Sequence, residues 1–302
     1  MDINNMIILG AGMTGCLAAY AFKNSVIHEY LETPNTHDAV LRFRSNQISE
    51  LTGIPFKKVT VHKGIWHNGE FVQPTVRLMN LYSKKVTGGY YDRSISNIDS
   101  VVRYVAPADF HSRMLNHLGD RVVYGSDVEI DKAERPVIST LPLPILANKL
   151  GAEVDIPKAS KVEPIYVSTV ELEDCELYQT VYVPDERHSV YRLSFTGNRL
   201  IIETVNPIHE TYVDMVLQNV FGIFEEFKVI EMNKEQKLGK FVPLDEGYRK
   251  RLMFDITQRH GIYSLGRHAT WRKVLLDDVY KDITKIERMI KHSAYDLMIG
   301  NV

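Results

Sequence analysis

The sequence predicts an α/β fold: a parallel, helix-flanked sheet interrupted by a mainly antiparallel β insertion. Three observations carry this. The apolar run Met6, Ile7, Ile8, Leu9 enters the turn Gly10-Ala11-Gly12-Met13-Thr14-Gly15, and a small-residue helix pattern, Cys16, Leu17, Ala18, Ala19, follows. That is strand, G-x-G-x-x-G and helix in the order of a Rossmann-type dinucleotide-binding domain. Consecutive strand patterns then fill residues 162–205, unlike the βαβ start. Finally, the apolar run over residues 261–265 ends on Gly266 and Arg267, ahead of a long amphipathic helix.

Each position of the first turn has a physical job. Gly10 permits the tight turn, Gly12 lets a pyrophosphate approach the backbone, and Gly15 lets helix and strand pack closely. Met13 and Thr14 open the helix, whose first N–H groups and partial positive charge suit phosphates. The second strand, over residues 25–28, ends on Glu29, 19 residues after Gly10, where a ribose-binding carboxylate belongs. The alternative is a tight glycine turn with no ligand.

Beyond Glu29, residues 39–44 read as a short strand, and Ser45 is a candidate N-cap for a helix over 46–51. Residues 57–73 alternate polar and apolar around Asn68 and Gly69, a hairpin signal. A helix is expected over 75–85 and a strand over 101–105. Residues 107–118 form the next helix, with Asp109 early and Gly119 past its end. Strands are expected over 121–124, 128–130 and 136–140. The β-rich stretch breaks into 162–172, 178–183, 189–195 and 200–205, with Gly197 and Asn198 at the last hairpin turn. Helices should cover 210–227, 248–259 and 277–299. The expected organisation is residues 1–54 and 101–150 as two parts of the dinucleotide-binding domain, with 55–100 an insertion on the substrate side. Residues 151–235 are a β-rich substrate domain, and 236–302 return to the first domain.

Composition is that of an ordinary soluble globular protein: 44% hydrophobic and 25% charged residues, with a net charge of −2. The balance excludes general nucleic-acid affinity, and no stretch approaches the ~20 apolar residues of a membrane span. The motif begins at residue 6, which leaves no room for a signal peptide before it. Cys16 and Cys175 make neither a disulfide framework nor a metal site, so a reducing, cytoplasmic setting is expected. Eleven histidines are scattered without ligand spacing, and no metal site is expected.

The N-terminal G-x-G-x-x-G, the middle segment Val137-Ile138-Ser139-Thr140-Leu141-Pro142-Leu143-Pro144, and the late Gly266-Arg267-His268-Ala269-Thr270-Trp271 with Asp277-Asp278-Val279 occur in that order. In this the chain resembles UDP-galactopyranose mutase. More broadly it resembles the FAD-dependent amine oxidase and protoporphyrinogen oxidase superfamily, as a divergent and short member. The resemblance implies a Rossmann-type FAD/NAD(P)-binding domain, FAD as cofactor, and an inserted, mainly antiparallel β substrate domain. It places Gly266 and Arg267 at the cofactor diphosphate, residues 276–279, including Asp278 and Val279, at the pyrimidine edge of the flavin, and Val123 or Val122 at the adenine. An arginine can clamp a diphosphate bidentately, and a helix N-terminus stabilises charge on reduced flavin; a surface salt bridge is the other reading of Arg267.

His268, at the expected flavin edge, is a candidate catalytic residue because imidazole changes charge near neutral pH. Arg272 is another, as one of four arginines (Arg192, Arg249, Arg251, Arg272) that could reach a substrate diphosphate. The chain lacks the family's glycine pair after the ribose acid. Arg42 or Arg44 either supplies that phosphate contact or faces outward from its strand. The function expected is an FAD-dependent enzyme, an oxidoreductase or a mutase, that places a small molecule against flavin N5. Its substrate would be a nucleotide sugar or an amine. The alternatives are a flavin amine or amino-acid oxidase, extending to a modified nucleobase, an NAD(P)-dependent dehydrogenase, and a non-catalytic dinucleotide-binding module.

Overall fold

The computed structural model describes residues 6–36, 40–90, 95–128, 130, 136–151, 165–236 and 244–291. Strand β1 (Ile7–Leu9) leads into α1 (Met13–Ala21), and β2 (Val26–His28) comes after it. β3 (Arg42–Phe43) is shorter than its sequence pattern; Phe43 is buried and Arg44 is exposed. Helix α2 (Gln47–Thr52) has Asn46, not Ser45, at its N-cap position. The Ser45 hydroxyl turns instead to Gln47 and Asp277, at 3.3 and 3.5 Å. The predicted hairpin forms from β4 (Lys57–His67) and β5 (Glu70–Val72). Asn68 and Gly69 both take positive φ, 54° and 87°, as a two-residue turn of this type requires. Thr75 caps α3 (Val76–Thr87) by accepting the Leu78 N–H at 3.3 Å.

β6 (Val101–Val105), α4 (Phe110–Leu118), β7 (Val122–Val123) and β8 (Val137–Ser139) come next. Val128 and Ile130 are not in a strand, and Glu129 lies outside the described residues. Helix α5 (Leu143–Lys149) has no counterpart among the elements expected from sequence. Pro142 and Pro144 flank its first residue, where a missing N–H breaks no helical hydrogen bond. The insertion supplies β9 (Ile165–Leu172), β10 (Leu177–Tyr182), β11 (Val190–Gly197) and β12 (Arg199–Thr204). The helix expected over 210–227 stops early. α6 (Thr211–Val216) passes into a π-helical turn, Leu217–Phe221, and Gly222 ends it at φ 66°. The chain then extends into β13 (Phe227–Gln236), an added strand on β9. α7 (Glu246–His260), capped by Asp245, then β14 (Ile262–Ser264) and α8 (Leu276–Lys291) complete the order. The remainder of the last predicted helix lies outside the described residues.

The chain divides into two compact units. One comprises Met1–Lys57, Tyr104–Ser160 and Pro243–Val302, the other Lys58–Arg103 and Lys161–Val242. The first holds a five-stranded sheet in the order β14-β8-β1-β2-β7, with every pair parallel. Leu9, Ser139 and Ser264 share one register line, so three strands end level. Ile8, Leu17, Phe110, Met114, Val279 and Ile283 belong to its core. In the second unit the order is β13-β9-β12-β11-β10-β4, antiparallel except for the parallel β10–β4 pair. Leu193, Phe195, Leu200 and Ile202 pack there against Val213 and Val216 of α6. The fold is thus the expected one: α/β, with a Rossmann-type parallel sheet and a mainly antiparallel insertion. No helix among the described residues is long and apolar enough to cross a membrane.

Candidate cofactor site

At the end of β1, Gly10 takes φ 95°, and a Cβ there would lie 2.6 Å from Thr140 Oγ1. A Cβ on Gly15 would lie 2.0 Å from the Gly10 carbonyl oxygen. Both positions therefore exclude any side chain. Gly12 is different. Its φ is an ordinary −66°, and nothing lies within 4 Å of where a Cβ would sit. The turn is open on that side. No side chain caps α1 and no acid occupies its first turn, so the positive end at Met13 and Thr14 is not offset by the helix's own residues.

Ala11 is gripped from both sides. Its N–H donates to Glu29 Oε2 at 2.7 Å. Its carbonyl accepts from His111 Nε2 at 2.9 Å and from the Cys16 thiol at 3.4 Å. Burial raises the Cys16 pKa to about 12, so the thiol stays protonated. His111, 2% exposed on α4, is a supporting residue that the sequence did not flag; an isolated histidine carries no spacing signal. Glu29 Oε1 accepts the Leu31 N–H at 3.1 Å, and the Glu29 N–H donates to the Val123 carbonyl at 2.9 Å. Glu29 and Val123 are thus neighbours at the sheet edge; Val123 is 39% exposed, whereas Val122 is buried.

The late segment returns to the same turn. Gly266 sits at φ 89°, and a Cβ on it would lie 2.7 Å from Thr14 Cγ2. Residues 14 and 266 touch. The loop beyond is held by its own backbone: Thr270 donates to the Gly266 carbonyl through N and Oγ1 at 3.0 and 2.6 Å. The Arg272 N–H donates to the Arg267 carbonyl at 3.1 Å, and the Leu143 N–H to the His268 carbonyl at 3.0 Å. Buried Arg249 donates to the Thr270 carbonyl at 2.9 Å while paired with Glu246 at 2.8 Å. Arg267 and His268 are half-buried. Burial, and next the neighbouring Arg267 charge, push the His268 pKa below the ordinary value, which keeps the ring neutral at pH 7. Arg272 pairs with Asp282 of α8.

At the start of α8, the Asp277 carboxylate accepts the Arg44 and Ser45 N–H groups at 3.0 and 3.2 Å. Asp278 accepts the Leu275 N–H at 3.0 Å and the Arg44 guanidinium at 2.6 Å. Burial alone would raise the Asp278 pKa, but the Leu275 N–H and the Arg44 charge outweigh it and hold the carboxyl below its usual range. Val279 is 1% exposed. The side chains of Asp278 and Val279 are therefore committed to cap and core, which leaves the helix backbone as the group a ligand could meet. Of the remaining arginines, Arg192 pairs with Glu203, and Arg251 is exposed on α7.

No family model matches the chain, and no curated protein matches its sequence. Solved structures do match. Reduced UDP-galactopyranose mutase aligns over 95% of this chain and 94% of its own, at 12% identity and TM-score 0.69. A fatty acid isomerase from P. acnes aligns over 94% and 98%, at 13% identity and TM-score 0.56. Putrescine oxidase, in a form redesigned for cofactor binding, aligns over 94% and 97%, at 12% identity and TM-score 0.54. The chain therefore has the fold of putrescine oxidase and of UDP-galactopyranose mutase, the latter being the family its sequence motifs resemble.

Proposed function

We propose that the chain is an FAD-dependent enzyme that acts on a small molecule. The observation that carries this reading is the contact between Gly266 and Thr14. A nicotinamide enzyme needs the G-x-G-x-x-G turn but has no need for the end of the chain to return to it. The space beside Gly12, the uncapped start of α1 and the Glu29 carboxylate suit a dinucleotide. In this reading Gly10, Gly12, Met13, Thr14 and Gly15 hold the diphosphate with Gly266 and Arg267, Glu29 binds the ribose, and the Val123 backbone meets the adenine. The backbone at Asp278 and Val279, at the positive end of α8, faces the pyrimidine edge. When bound, the flavin supplies an N5 that accepts hydride or, once reduced, acts as a nucleophile.

His268, kept neutral, can accept or donate one hydrogen bond to substrate. Arg272, oriented by Asp282, is the second residue assigned to the substrate. Its ion pair lowers its value as a free anion clamp, so it serves to position rather than to neutralise. The mutase-like branch, with a nucleotide-sugar substrate, is favoured by the late Gly266 to Trp271 segment and by the TM-score of 0.69 against 0.54 for putrescine oxidase. The amine-oxidase branch is the second reading, favoured by the absence of a free arginine pair among Arg192, Arg249 and Arg272, each of which already holds a carboxylate.

The test is the visible absorbance of the purified protein, with denaturation and identification of the released cofactor. Yellow protein releasing FAD is the expected result, with turnover of nucleotide sugars under reducing conditions tried before amines in air. Colourless protein that binds NAD(H) or NADP(H) but no FAD would overturn it.

A further inference from the structure

The insertion sheet carries a cavity of about 300 Å³ where α6 packs on it, within the size range of small-ligand sites. Trp66, Val190 and Leu193 form its sheet side, and Val216 and Asn219 its helix side. Asn219 belongs to the π-helical turn Leu217–Phe221. Such wide turns are rare and recur at functional sites. A second cavity, of about 500 Å³, shares Gly69 and His188 with the first and adds Asn68 and Arg187. The two form one recess with an apolar floor and a polar mouth.

The mouth is built from side chains that hold one another. Lys85 Nζ reaches from α3 to the carbonyls of Val183, Asp185 and Val190, at 2.9, 2.5 and 2.6 Å, and so pins both ends of the loop that carries His188. Arg187 binds the Asp185 carboxylate at 2.5 Å and Asn68 Oδ1 at 2.6 Å. The arginine charge is thereby neutralised within the mouth. His188 Nδ1 lies 3.0 Å from the Tyr212 hydroxyl. Burial, then the Asp185 charge, raises the Tyr212 pKa, so the phenol keeps its proton and can donate it to Nδ1. With Nδ1 accepting from Tyr212, Nε2 is the ring nitrogen left to donate a hydrogen bond.

We propose that this recess binds a small uncharged molecule with a flat apolar body and a carbonyl acceptor, the body beside Trp66 and the carbonyl on His188. A carboxylate finds no unpaired positive charge there, and a purely apolar molecule leaves the ring N–H unused. The inference is independent of the flavin reading, because every lining residue belongs to the unit without the G-x-G-x-x-G turn.

Two probes of matched shape test it on the full chain by fluorine NMR titration: para-fluoroacetophenone and para-fluoroethylbenzene. The ketone should bind saturably, about fivefold or more tighter than the hydrocarbon, the worth of one neutral hydrogen bond. Asn219→Trp should abolish both by filling the recess, with Met215→Trp as the substitute if that variant does not fold. His188→Phe, which removes the ring donor, should reduce the ketone to the level of the hydrocarbon. Absence of saturable binding, equal affinity of the two probes in the native chain, or binding that survives a folded filling variant would overturn the proposal.

Discussion

Gly12 and Gly15 stand three residues apart in one turn and are glycines for different reasons. Gly15 is excluded from bearing a side chain because a Cβ there would lie 2.0 Å from the Gly10 carbonyl oxygen, whereas a Cβ on Gly12 would meet nothing within 4 Å. Gly15→Ala should therefore destabilise the fold by about 3 kcal/mol through overpacking against backbone. Gly12→Ala should stay within about 0.5 kcal/mol of the native stability and, on the proposed FAD reading, lose flavin on purification. Urea melts and the ratio of flavin to protein separate the two. His268 offers a pH test. Its folded pKa is lowered, mostly by burial and less by Arg267, so the folded state binds its proton less readily than the unfolded chain. Stability linked to this ring is complete above the unfolded value of about 6.5 and is lost as pH falls through the folded value. A histidine NMR titration should show a midpoint below 6.5, and Arg267→Ala should bring it back only in part. Full recovery would mean that charge, not burial, sets the shift.

Helix α8 shows how an element start is secured across sequence. Asp278 closes the helix by accepting the Leu275 N–H, while Arg44, more than two hundred residues away, bridges Asp277 and Asp278. The folded Asp278 pKa is depressed, so its contribution is present above the ordinary aspartate value of about 3.9 and lost as pH falls through the folded value. Asp278→Asn should cost about 1 kcal/mol at pH 7 and flatten the acid limb of a thermal-stability profile below pH 4. An unchanged acid limb would place that dependence on other carboxylates. Elsewhere the element pattern was only partly legible. The hairpin at Asn68 and Gly69 was readable because a two-residue turn has a strict sequence signature. β13 was not, since residues 210–227 look helical and Phe227 becomes a strand only by pairing with Leu172 on β9. α5 was hidden by Pro142 and Pro144, because prolines end helices in their interior but are tolerated at their start.

For the whole molecule, the Rossmann-type unit is assembled from three separate stretches of chain. A ligand that touches β1, β2 and the loop after β14 at once would cross-link the first and last of them. Added FAD should accordingly stabilise the apo chain, by about 2.7 kcal/mol at a hundredfold excess over its dissociation constant. Differential scanning calorimetry with and without FAD checks this; a melting temperature indifferent to FAD but raised by NAD(H) would point to the dehydrogenase alternative.

Local spacing and turn chemistry were enough to encode the fold class, the G-x-G-x-x-G turn, Glu29 at the end of the second strand, and the late segment from Gly266. Long-range packing set the rest: Gly266 rests on Thr14, His111 holds the Ala11 carbonyl, Arg44 reaches Asp277 and Asp278, and Arg249 reaches the Thr270 carbonyl. The difference is one of range. Backbone conformation answers to residues a few positions apart, whereas a salt bridge or a close backbone approach is set by which distant segments the packed core brings together.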